Sequence, residues 1–141
     1  MKRRDSMMRL KRFRVQEFER RMATLDEMKF DLERKLADLD ASVDREKLRA
    51  TDSDIGRLAF PNVVQSIEAR RKNIRTTMKE LERARAAVDD DLTAARQDLK
   101  SFEAAEEERQ RRVEKAQERT AQSRTQDLAL VRHLRKHAAR S

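Results

Sequence analysis

Gly56 and Pro61 are the only glycine and the only proline of the 141-residue chain, and both lie within residues 51–61. Glycine frees the backbone, while proline fixes φ and removes a hydrogen-bond donor, so together they punctuate a helix more strongly than any other residues. On either side the chain runs for long stretches without a breaker. A sequence interrupted once in this way predicts an all-α chain: one helix over 5–50, a turn over 51–61, and a longer helix over 62–137.

Composition agrees with a rod rather than a globule. Charged residues make up 44% of the chain and apolar ones 37%, enough for a seam between helices but too little for a wide core. High charge also suits disorder, but strong helix formers and sustained apolar spacing oppose that reading. No cysteine is present, which excludes disulfides and thiolate metal sites. No apolar run suits a signal peptide or a membrane span, so a cytoplasmic protein that reaches a membrane only through partners is expected.

The apolar spacing is that of a heptad seam. In the first helix it runs Met8, Val15, Phe18, Met22, Leu25, Leu32, Leu36, Leu39 and Val43, interrupted at Lys11 and Lys29. Asp5 or Ser6 is placed to cap its start. In the second helix, Asn62 and Gln65 after Pro61 suggest a capping box. The seam then follows Val64, Ile67, Arg71, Ile74, Met78, Leu81, Arg85, Val88, Leu92, Ala95, Leu99 and Phe102, and fades afterwards.

That fading carries information. If the helices fold back on each other, seam residues whose numbers sum to about 113 meet, and the first helix runs out near residue 109 of the second. The second helix loses its stripe where its partner ends, a coincidence that a parallel homodimer would not explain. An antiparallel coiled-coil hairpin is therefore expected, as a single domain over 1–141, with an overhang from about residue 110. Lys29 and Arg85 would form a polar layer, their stems packed and their charges reaching Asp26, Glu33, Glu82 or Asp89, or else fixing register.

Catalytic chemistry is not evident. A two-helix rod offers no cleft in which groups converge, so the chain is not expected to be an enzyme. His133 and His137 stand i,i+4 but lack a third metal ligand and sit among Arg132, Arg135 and Lys136. With one glycine there is no phosphate-cradling loop. Neither metal nor cofactor is expected.

Charge placement points instead to binding. Residues 1–20 hold eight Lys/Arg against three acids and residues 122–141 five against one, leaving the span between near neutrality. These basic ends could serve solubility alone, an acidic protein socket, nucleic acid or anionic lipid. Stacking aromatics suited to single-stranded nucleic acid are absent from residues 103–141. A second cluster, Ile55, Leu58, Phe60, Val63 and Val64, lies at the turn, where it would either shield the open end of the coiled coil or meet a partner.

Three features together, the opening Arg9-Leu-Lys-Arg-Phe-Arg-Val-Gln-Glu-Phe-Glu-Arg-Arg-Met22, the tip segment Ala59-Phe-Pro-Asn-Val-Val-Gln-Ser-Ile-Glu-Ala-Arg-Arg-Lys-Asn-Ile74 and the basic end, give a chain that resembles the FliJ family, the stalk-like component of the bacterial flagellar type III export apparatus, over essentially its whole length. The resemblance implies an antiparallel coiled coil whose joined termini insert in a hexameric export ATPase (FliI-like). Its tip side would contact the cytoplasmic domain of the export gate (FlhA-like), and it would also escort export chaperones. Carried onto this sequence, the ATPase-ring contact would be Lys2, Arg3, Arg4, Arg9, Arg12, Arg132, Arg135 and Lys136. The gate contact would be Phe60, Val63, Ile67 and Arg70. Relatives carry tyrosines on the facing first helix, and this chain has none. The implied setting is the cytoplasm, at the inner-membrane export apparatus, in flagellum biogenesis and motility. The rival expectations are a nucleic-acid-associated basic coiled coil and the equivalent stalk of a virulence type III secretion system.

Overall fold

The structure, a computed structural model, describes residues 2–140. Two α-helices account for all of them except Ser53: α1 (Lys2–Asp52) and α2 (Asp54–Arg140), of 51 and 87 residues. The chain divides into two units, Met1–Arg96 and Gln97–Ser141.

The first unit is the antiparallel hairpin, and its seam is the one the heptads predict, except that Arg85, expected to pack its stem there, is exposed. Val15, Ile67, Leu81 and Leu92 are buried. Met8, Phe18, Met22, Leu25, Leu32, Leu36, Leu39 and Val43 are half-buried, as are Val64, Ile74, Met78, Val88 and Ala95. Even the interruptions Lys11 and Lys29 lie half-buried in sequence with them. Their placement follows from winding: apolar positions every three and four residues recur on one stripe, and only a second stripe can cover it.

Cross-helix ion pairs between described residues fix the register. Arg71 Nη2 donates to Asp40 Oδ1, Arg85 Nε to Asp26 Oδ1 at 2.7 Å, and Arg96 Nη2 to Glu19 Oε1 at 3.3 Å. As the α1 partner's number falls the α2 partner's rises, and each pair sums to within two of the expected 113. Arg85 reaches Asp26, one of the four acids anticipated for it. Such pairs contribute little where water reaches their partners. A fully buried Leu or Ile contributes about 1.5–3 kcal/mol, so the seam holds the hairpin and the pairs align it.

The connection differs from expectation. The turn is a single residue, Ser53, not residues 51–61, and both breakers lie inside α2. Ser53 serves both helices at once: its N–H donates to Arg49 O and its carbonyl accepts from Arg57 N, each at 3.1 Å. Its hydroxyl accepts from Gly56 N at 2.9 Å, which makes Ser53 the N-cap of α2 in place of Asn62. Gly56 is needed here for space and not for a positive φ, which it does not have. A Cβ at that position would lie 2.3 Å from Arg49 O and 2.7 Å from its carbonyl carbon.

Pro61 is the eighth residue of α2 and withholds a donor from the Arg57 carbonyl. Both residues are exposed, so water can replace the missing bond. At the other end α1 begins at Lys2, which puts Asp5 and Ser6 inside it rather than at its cap. Asp5 complements the helix dipole in the first turn, and the Ser6 hydroxyl donates to Lys2 O at 2.8 Å.

The corner cluster splits. Phe60, Val63 and Val64 are half-buried, while Ile55 and Leu58 remain 82% and 81% exposed. Shielding of the open end is therefore only partial. In the second unit Leu99, Phe102, Glu103, Glu106 and Arg109 are half-buried, and every residue from 110 to 140 is exposed.

Candidate interaction surfaces

Arg71 occupies a seam position that an aliphatic side chain would ordinarily fill. Only 18% of its side chain is exposed. Burial works against its charge, but the bonds it donates to Glu68 and Asp40 and the charges of those acids outweigh that cost, raising its pKa above arginine's ordinary value. Its Nε is buried without a hydrogen-bond partner. The hydrogen bond to Asp26, followed by the charge of that acid, raises Arg85 in the same direction. Both guanidinium groups therefore stay charged at any working pH, and each ties α2 to α1 through one acid.

Beside this layer runs a groove. One part, of about 390 Å³, is lined by Lys35, Asp38, Leu39, Ser42, Arg70, Asn73 and Ile74. A second, of similar volume, continues toward the corner along Glu46, Asn62, Val63, Ser66 and Ile67. Short side chains at Ser42, Asn62 and Ser66 leave the two helices uncovered there, which gives a shallow trough that can accept another helix or an extended segment.

Four residues were expected to form the tip contact. Val63 and Arg70 line the trough, and Phe60 is half-buried near the corner. Ile67 is 5% exposed, so it is foremost a core residue packed in the seam and forms the trough's floor.

The expected basic residues stand on two separate stretches. Lys2, Arg3, Arg4, Arg9 and Arg12 occupy the first turns of α1, and all five are exposed. Arg132, Arg135 and Lys136 occupy the last turns of α2 and are exposed within the second unit. On the same turns, the rings of His133 and His137 stack at 6.0 Å with planes 13° apart. Among the described residues no group of three or more His, Asp or Glu is placed to hold a metal ion, and no helix is long and apolar enough to cross a membrane.

One further apolar surface lies outside the heptad seam. Met7, Leu10 and Phe13 are 41%, 44% and 53% exposed on the outside of α1. Their i, i+3, i+6 spacing was visible in the sequence, but the neighbouring seam positions Met8, Lys11 and Val15 masked it. The second unit has exposed apolar residues of its own at Val113, Leu128, Leu130, Val131 and Leu134. Compared with family models, with curated proteins and with solved structures, the chain matches none.

Proposed function

We propose that the chain is a non-enzymatic coiled-coil stalk of a protein-export apparatus, linking a hexameric export ATPase to the export gate in the manner of the flagellar FliJ family. The observation that carries this reading is the hairpin of the first unit: a stiff, asymmetric two-helix body, aligned by cross-helix ion pairs, with exposed cations on the first turns of α1. A stiff rod can transmit a displacement along its length, and exposed arginines and lysines recognise an acidic socket. At the other end of the hairpin, the trough lined by Val63 and Arg70 offers the gate a place to lay a segment. Export chaperones would meet the same rod. The setting of this function is the cytoplasmic side of the inner membrane, and the family's role in motility would follow from it.

Adding the protein to the export ATPase of the same cell should raise ATP hydrolysis and bring the two down together. Reversing Arg9 and Arg12 to Glu should weaken capture by about tenfold or more, at roughly 1–2 kcal/mol for each charge lost from a complementary contact. No stimulation together with no co-sedimentation would reject the stalk reading.

A further inference from the structure

Residues 2–14 hold seven Lys/Arg and a single acid, Asp5. All seven cations but the half-buried Lys11 are exposed. On the same turns Met7, Leu10 and Phe13 stand out from the helix as a ridge that the hairpin does not cover. At about 100° per residue the ridge winds over roughly a third of the helix circumference, away from the seam face of Met8 and Val15. Arg3 and Arg14 share that face, and Lys2 and Arg9 border it. A soluble rod gains nothing by placing three large apolar side chains in water amid its densest positive charge. A lipid surface rewards both features together, because apolar side chains enter the acyl boundary while long basic side chains extend back to the headgroups.

We infer that residues 2–14 of α1 form a docking surface for an anionic bilayer, with Met7, Leu10 and Phe13 inserted and Arg3, Arg9 and Arg14 on the phosphate and carboxylate headgroups. Charge complementarity selects an anionic occupant and disfavours a second copy of this equally basic segment. The ridge favours a fluid bilayer over a protein groove, because its winding apolar line is interleaved with arginines and has no single flat face for a rigid wall to match. Four to eight basic residues on an amphipathic helix is the pattern that binds acidic lipid, each worth about fivefold in partitioning. Three inserted side chains make the attachment reversible. The inference stands apart from the stalk reading, since vesicles contain no ATPase. Because both use Arg9, lipid and an ATPase socket would exclude each other.

The full chain should sediment with phosphatidylcholine vesicles containing about 30% phosphatidylserine and not with phosphatidylcholine alone, and the binding should fall steeply with salt. The double variant Leu10→Glu/Phe13→Glu should lower partitioning at least about tenfold with helicity unchanged by circular dichroism, since both side chains are exposed. As the chain has no cysteine, a polarity-sensitive dye on Phe13→Cys gives a second readout that does not depend on that variant folding. Its emission should shift to the blue on anionic vesicles, while the same dye on Leu130→Cys should not respond. The inference is overturned by no sedimentation, by undiminished binding of the folded double variant, or by a blue shift at residue 130 and not at 13. It is also overturned if duplex DNA at physiological salt binds the chain more tightly than the vesicles do and is lost in the same double variant. That result would assign the surface to nucleic acid.

Discussion

Residues 2–96 place a side chain in the seam at nearly every third or fourth position, whereas residues 110–140 bury none. Both stretches are helical and both are rich in Arg and Ala. The first is held by burial, with the backbone bonds formed inside a packed pair. The second relies on what one helix can do for itself: strong local propensity and side-chain pairs such as Arg112–Glu108 at 3.6 Å. Helix pairs of this kind add about 0.2–0.5 kcal/mol each, and an isolated helix is marginal in water. Similar composition thus yields a packed scaffold in one region and an exposed surface in the other. The stripe, not the helix formers, makes the difference.

The sharpest way to break this contrast is to remove the same side chain from each region. Leu92 is 4% exposed in the seam and Leu130 is 57% exposed. Leu92→Ala should cost about 2–4 kcal/mol in denaturant unfolding through lost burial and the cavity left behind. Leu130→Ala should stay within about 0.5 kcal/mol, with a slight gain from alanine's propensity. Equal losses at the two sites would mean that residues 110–140 are packed as the hairpin is.

Next in size is the corner. In an ordinary helix Gly→Ala stabilises by about 1 kcal/mol. Gly56→Ala should instead destabilise by about 1–3 kcal/mol, because the new Cβ would fall 2.3 Å from Arg49 O and force the two helices apart. Ser53→Ala, which removes only the cap to Gly56 N, should lose about 1 kcal/mol. A stabilised Gly56→Ala in thermal melts would show that the helices do not meet at Ser53.

The same contrast explains what was legible in the residues alone. The seam from Met8 to Val43 and its register could be read because period and charge act over many turns and errors average out. The corner could not, because Gly56 and Pro61 read as helix breakers on their general properties. Glycine has a second use, close backbone approach, that only the position of Arg49 reveals. Proline near a solvated helix start costs one bond that water can replace. Ser53 carried the true signal, as a preferred N-cap one residue before Asp54, but Asn62 and Gln65 offered an equally good box. Among the candidate contact residues, the exposure of Arg9 and Arg12 followed from their place off the seam. Ile67, by contrast, was assigned to a contact although its heptad position already required burial.

The smallest expected effect tests what the ion pairs contribute to the packed region. Arg71→Leu removes a half-buried seam cation and its partnerless Nε, and leaves Asp40 and Glu68 as exposed acids that water can solvate. Removing one partner of a pair is costly only when the charge left behind is buried, and Asp40 and Glu68 are solvated, so the variant should be as stable as the parent or slightly more so. What should be lost is alignment. With Arg71 gone, the pairs Asp26–Arg85 and Glu19–Arg96 still pin the register, but both lie farther from the corner. Spin labels on opposed exposed sites near residues 38 and 73 should then report a broader distance distribution at unchanged or higher melting temperature. A loss of about 2 kcal/mol or more would reverse the ranking, making the arginine layer and not the apolar stripe the main source of hairpin stability at that level.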